Sequence, residues 1–234
     1  MTDDVEIHHQ HRDVSGGWLR PAVFGVMDGL VSNVALIAGV AGGGATSRTV
    51  ALAGFAGLIG GAFSMATGEY TSVAAQTELT RAEIAVERAE IRARPLAEMR
   101  ELAGLYRSRG VDPDLADQVA AQLSRDPEQA WRIHAREELG VDPDELPSPW
   151  VAAGSSFAAF TVGALLPLLP YLLGASSLLA TGILAAVGLF GFGALTARFT
   201  RRGWPYSGLR QLMLGGAAAA VTYALGAAVG AGLG

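Results

Sequence analysis

The chain contains no cysteine and no lysine, and three long stretches of it carry no charge of either sign. Without cysteine there is no disulfide, no thiolate metal ligand and no thiol nucleophile, and the redox compartment is left open. The uncharged stretches are Thr49–Gly68, Trp150–Ala197 and Gln211–Gly234, and a fourth apolar stretch, Pro21–Gly44, holds one charge, Asp28. A bilayer core of about 30 Å is crossed by roughly 20 helical residues, so the run from Trp150 is long enough to cross twice. Five spans follow. A soluble enzyme and a nucleic-acid binder are both excluded at this step. The first residues, Met1–Asp13, are polar and acidic, which does not suit a cleavable signal peptide.

What is present is as uneven as what is missing. Half of the 234 residues are hydrophobic, 17% are charged, and all 17 basic residues are arginine. Arg12 and Arg20 precede span 1, ten arginines lie between Arg81 and Arg136, and Arg198, Arg201, Arg202 and Arg210 flank the loop after span 4. Only Arg48 falls in the alternate loops, a positive-inside bias that places the N-terminus, the central polar segment and the Arg201–Gly208 loop in the cytoplasm. Spans 3 and 4 part at Gly174–Ser177, and Trp150, Tyr171 and Trp204 suit an interfacial belt. Glycines recur four apart at Gly25/Gly29, Gly57/Gly61 and Gly226/Gly230, a spacing that lets helices approach closely in a bundle.

Between spans 2 and 3, Glu78–Pro147 holds 16 acidic and 10 basic residues. Pro95 and the pairs Asp112-Pro113, Asp126-Pro127 and Asp142-Pro143 punctuate it, and Asp before Pro is an N-cap before a first-turn proline. Helices are predicted over about 72–93 (continuing span 2), 95–108, 113–124 and 127–139. The stripes Leu102/Leu105/Tyr106, Leu115/Val119/Leu123 and Trp131/Leu139 give them apolar faces. The expected fold is an all-α membrane protein with five transmembrane helices and a small helical cytoplasmic domain between spans 2 and 3. Its divisions are a polar tail over 1–19, spans 1 and 2 over 20–77, an acidic helical domain over 78–147, and spans 3 to 5 over 148–234.

Three constellations carry chemistry. Asp28 is a carboxylate inside a span, costly to bury and a functional candidate for that reason. Met65, in span 2, lies at a comparable depth by the rise of 1.5 Å per residue, with Glu69 one turn nearer the cytoplasm. A hard carboxylate and a soft thioether at one level suit a borderline divalent metal such as Fe²⁺. In the polar segment Glu83, Glu87 and Glu90 share one helix face, Glu98 and Glu101 repeat a three-residue spacing, and His134, Glu137 and Glu138 cluster on the last helix. Arg88, Arg92 and Arg94 could neutralise these glutamates as a salt-bridged surface; the rival is a carboxylate-rich metal site. A ferritin-type di-iron site needs Glu-x-x-His motifs on bundle helices, and His134-x-x-Glu137 runs the other way. No nucleophile–base pair or cofactor loop marks an enzyme. His8, His9 and His11 form a short tail tract with weak metal-capturing potential.

These residues, in this order, resemble the vacuolar iron transporter family. The matching stretches are Phe24-Gly-Val-Met-Asp28-Gly-Leu, Gly61-Ala-Phe-Ser-Met65-Ala-Thr-Gly-Glu69-Tyr, the Glu87/Glu90/Glu98/Glu101 spacing, Arg136-Glu-Glu138-Leu-Gly and Leu166-Pro-Leu-Leu-Pro170. The resemblance implies a homodimer of five-span subunits with a path between the two copies of span 1. It also implies Fe²⁺ export from the cytosol in exchange for protons. Asp28 and Met65 resemble the membrane metal site; Glu87, Glu90, Glu98, Glu101 and Glu138 resemble the ligands of the cytoplasmic domain. Where some members have a methionine pair, this chain has His134-Ala135, so imidazole would replace thioether there. The expected partners are divalent metal ions, protons, the lipid bilayer and a second copy, with no nucleic acid. No cofactor is expected to be tightly bound, Fe²⁺ (or Mn²⁺ or Zn²⁺) being the transported and domain-bound ion. A manganese or broad divalent carrier and a membrane-anchored metal buffer are the rival functions. The all-arginine, Ala/Gly-rich composition points to a prokaryotic plasma membrane, or to the vacuolar membrane if the source is eukaryotic.

Overall fold

The structure, a computed structural model, describes residues 17–198 and 202–233, so the His8, His9 and His11 tract lies outside the described residues. It is all-helical: α1 (Leu19–Gly42), α2 (Ser47–Ala93), α3 (Pro95–Ser108), α4 (Pro113–Leu123), α5 (Pro127–Glu137), α6 (Pro149–Leu172), α7 (Leu178–Thr196) and α8 (Trp204–Leu233). Five of these, α1, α2, α6, α7 and α8, are long and apolar enough to cross a membrane. Helices suit that setting because each backbone N–H and C=O finds its partner inside the segment. The chain divides into two compact units: one gathers the residues up to Thr71 with those from Pro149 onward, the other is Ser72–Ser148.

In the membrane unit, α1 lies between α6 and α8 at backbone distance. A Cβ at Gly29 would overlap the carbonyl oxygen of Phe160, and one at Gly163 would overlap that of Val26. Toward α8, a Cβ at Gly226 would overlap the carbonyl oxygen of Gly39. The glycine pairs Gly25/Gly29 and Gly226/Gly230 are thus contact faces within one chain. In lipid, where apolar burial drives nothing, such close van der Waals packing is what holds helices together. Ile37, Val50, Leu58, Ala62, Phe160, Ala164 and Leu168 close the core where α1, α2 and α6 meet. The predicted break at Gly174–Ser177 is present, with Gly174 at φ +81° and Ser177 capping α7 through Ala180 N at 3.2 Å. The last span starts at Trp204 rather than near Gln211, because Arg210 lies within the helix and its guanidinium sits 5.9 Å from the Tyr206 ring centre. A charged residue stacked on a neighbouring ring does not end a helix.

In the Ser72–Ser148 unit the capping signals act as expected. Asp112 accepts from the N–H groups of Asp114 and Leu115, and Asp126 accepts from that of Glu128, each with proline at the first helical position. Asp142-Pro143 instead forms a turn, in which Asp142 accepts from Asp144 N and binds the Arg136 guanidinium. Pro147 and Pro149 follow closely and keep the residues before them out of helical backbone. Two small cores form: Ile84, Ile91, Ala130, Trp131 and Ala135 in one, Leu102, Ala103 and Ala120 in the other. Two expected stripes differ. On α4 the buried residues are Ala116 and Ala120 while Leu115 is 52% exposed, since small side chains let α4 approach α3. On the last helix Leu139 is exposed because α5 ends at Glu137.

If the α1–α6 contact holds the membrane unit together, Gly29→Ala should destabilise the detergent-solubilised protein by about 1–3 kcal/mol, the usual penalty for overpacking. Gly182→Ala, where a Cβ meets nothing within 4 Å, should leave the melting temperature unchanged within error or slightly raised.

Candidate metal centre

Two groups of chemistry-bearing residues emerge, one in each unit. In the membrane unit Asp28, Ser32 and Asn33 of α1, Gly57, Gly61, Ser64 and Met65 of α2, and Phe160 of α6 line a cavity of about 270 Å³. Asp28 and Met65, 37 positions apart in sequence, therefore face the same space. The room comes from glycine: a Cβ at Gly61 would run into the Phe160 ring, and one at Gly57 would meet Leu36 Cδ2 at 2.5 Å. Asp28 is exposed, and it also lines a second cavity with Arg20, Phe24, Met27, Gln211 and Leu214, along α1 and α8. Glu69, a turn further along α2, does not line the space that Asp28 and Met65 share.

Asn33 of that cavity is a site residue that the sequence pattern does not single out. It is 2% exposed, and its amide donates to the carbonyl oxygen of Ala164 at 2.6 Å. A scan for charge passes over a neutral amide, yet a polar side chain deep in an apolar span is the same kind of signal as Asp28.

In the Ser72–Ser148 unit, Glu87 is the hub. Its carboxylate and those of Glu90 and Glu98 can bring one oxygen each within 4.8 Å of one another, and the same holds for Glu87, His134 and Glu138. His134 is 1% exposed, and its Nδ1 lies 2.9 Å from Glu87 Oε1 and 2.8 Å from Glu138 Oε1. Neither imidazole nitrogen has a hydrogen bond of acceptable geometry. Ligand-to-ligand spacings just under 3 Å match the edges of a coordination shell with metal–ligand bonds of about 2.1 Å. Helix geometry assembles the set. Glu87 and Glu90 lie three residues apart on α2, His134 and Glu138 lie four apart at the end of α5, and Glu98 is in the first turn of α3, where the helix dipole favours an anion.

The predicted residues do not all join. Glu83 is exposed and outside both groups, and Glu101 is exposed, acting on Glu98 only through its charge. Glu137 turns away, accepting from Tyr106 Oη at 3.3 Å and pairing with Arg109. The screening expected from Arg88 goes elsewhere: its guanidinium bridges Glu128 at 3.1 Å and lies 4.6 Å from the Trp131 ring centre. The crowding shows in the titration of the hub. Burial, and then repulsion from Glu138, push the Glu87 carboxyl up to about 7, against the lowering pull of His134. Burial, followed by the charges of Glu101 and Glu90, also raises Glu98.

The molecule is thus a multi-pass helical membrane protein carrying a carboxylate–thioether cavity within its spans and a partly buried carboxylate–imidazole cluster in a polar unit. Comparison with known proteins supplies the lineage: the chain belongs to the VIT family, whose model matches residues 19–227. A protein of Acanthamoeba castellanii named vacuolar iron transporter is 39% identical over 198 residues, covering 79% of this chain and 72% of its own length. Vacuolar iron transporter 1 of Oryza sativa subsp. japonica is 33% identical over 95% of this chain and 90% of its own. Vacuolar iron transporter 1 of Arabidopsis thaliana is 32% identical over 93% and 89% respectively. These are names of transporters, not of enzymes.

Glu87 makes a checkable claim about the metal-free protein. A carboxyl that titrates near 7 when folded and near 4.5 when unfolded binds more protons in the folded state between those values. Stability must then fall as pH rises from 4.5 to 7, by on the order of 2 kcal/mol after allowance for screening. With a chelator present, hydrogen-exchange protection of α3 and α5 should drop across that window, and Glu87→Gln should flatten the slope.

Proposed function

We propose that this chain transports divalent iron, and Mn²⁺ as a second substrate, out of the cytosol. The observation that carries the reading is that Asp28 and Met65, on different helices, line one cavity within the membrane-spanning helices. A buffer or sensor needs no ligands there. A carboxylate compensates a partly dehydrated dication, and a thioether favours borderline Fe²⁺ over hard Mg²⁺ or Ca²⁺. The names of the relatives from Acanthamoeba, rice and Arabidopsis point to the same cargo.

In this reading the polar unit is cytoplasmic, following the arginine distribution, and Glu87, Glu90, Glu98, His134 and Glu138 collect the ion there. Glu101 and Glu83 add negative field around the cluster. Export runs against protons entering the cytosol, with Asp28 or Glu69 as the proton-carrying carboxylate. Two copies associate through the exposed side of α1, where Phe24 and Asp28 lie open, so that the path lies between them.

Fe²⁺ flux into proteoliposomes, with and without a pH gradient, tests the reading. Asp28→Asn and Met65→Ala should each lower flux at least about tenfold, equivalent to 1.4 kcal/mol at the limiting step, with folding unchanged. Ion binding without flux in the wild-type protein would favour the buffering function instead.

Orientation has its own test. A cysteine placed at Ala175 should react with an impermeant maleimide on intact cells, and one at Gly203 should not. The opposite pattern would reverse the direction of transport.

A further inference from the structure

The Asn33 side chain can be oriented without ambiguity. The carbonyl oxygen of Ala164 can only accept a hydrogen bond, so the atom 2.6 Å from it is the amide nitrogen. The Asn33 carbonyl oxygen, Oδ1, therefore points the other way, toward α2, where a Cβ at Gly57 would come within 3.1 Å of it. This oxygen is buried, has no hydrogen-bond partner, and belongs to a residue lining the cavity shared by Asp28 and Met65. Ser156 and Thr181 also hold buried hydroxyls without partners, but neither lines that space. A buried carbonyl oxygen held by its own amide and aimed into a cavity beside a carboxylate is a preorganised neutral ligand for a cation.

We infer that Asn33 is a specificity-determining ligand of the membrane path, its Oδ1 coordinating the divalent cation one station deeper than Asp28. Five residues of helix separate the two, about 7.5 Å along the axis. Gly57 is part of the device, since any side chain there would stand between the cavity and the amide oxygen. A neutral hard oxygen lowers the charge density met by the ion after the carboxylate, so the ion can move on. It also favours Mn²⁺ and Fe²⁺ over softer dications such as Cd²⁺. The inference rests on the transport reading above.

The test is metal selectivity of the full-length protein in proteoliposomes, using Mn²⁺ and Cd²⁺ separately. Asn33→Met replaces the amide oxygen with the sulfur of a longer side chain, and should raise the Cd²⁺-to-Mn²⁺ ratio of kcat/KM about tenfold or more. Asn33→Leu should raise KM for Mn²⁺ more than it lowers kcat. Gly57→Ala leaves the bond to Ala164 intact but covers Oδ1, and should also raise KM for Mn²⁺. A role confined to holding α1 on α6 would lower the melting temperature and the amount of active protein without moving the ratio. An unchanged ratio in Asn33→Met, or, should that variant not fold, an unchanged KM in Gly57→Ala, overturns the inference while leaving the transport reading intact. Absence of Mn²⁺ and Fe²⁺ flux in the wild-type protein would remove both.

Discussion

The contact between α1 and α6 is made of backbone against backbone, with Gly25, Gly29 and Gly163 supplying the clearance. No hydrophobic force drives two apolar helices together in lipid, so that contact and its counterpart at α8 must rely on shape. The polar bond between the two helices depends on it. The bond from Asn33 to Ala164 exists because the two backbones are close enough for a short side chain to reach across. Asp28 is one residue before Gly29, so the face of α1 that meets α6 also sets where the carboxylate points. The other glycine pair, Gly57 and Gly61, acts differently, leaving space on α2 for the cavity that Asp28 and Met65 line.

The polar unit is organised by the opposite principle, the repulsion of like charges. Glu87 and Glu98 are buried and His134 nearly fully so, while the nearby arginines spend their charge on Glu128, Asp117, Glu137 and Asp142. Such an arrangement is poorly balanced on its own, as the raised Glu87 carboxyl shows. Apolar support is thin, limited to two small clusters with alanine at the tightest points. A dication bound among these side chains would relieve the repulsion directly, which ties ligand binding to the order of the unit.

Much of this is legible in the sequence, and the reasons are physical. Five spans can be read from charge because burying charge in hydrocarbon is expensive over any window of that length. The four polar-segment helices can be placed because proline and aspartate act locally, within one turn. Legibility ends where the outcome depends on a partner. Leu115 has the spacing of a core residue, but α4 turns Ala116 and Ala120 inward to meet α3. Arg210 has the charge that marks an end of a span, but it lies within α8 with its guanidinium 5.9 Å from the Tyr206 ring centre. Residue type and spacing do not separate Glu137 from Glu138, although the family resemblance selects Glu138; in the structure Tyr106 and Arg109 engage Glu137. Asn33 escapes any search by formal charge, which is blind to amides.

Glu87 belongs to both carboxylate groups of the polar unit, and that sharing has an arithmetic consequence. For any cations that fill the two groups in turn, the first must displace the proton Glu87 holds near neutrality, and the second finds it already gone. The proton on Glu87 therefore leaves with the first ion only, while the second meets the positive charge of the first across a common carboxylate. The two occupancies cannot be independent events. They form one linked equilibrium, whose steepness depends on pH and flattens once the solution is basic enough to empty Glu87 beforehand.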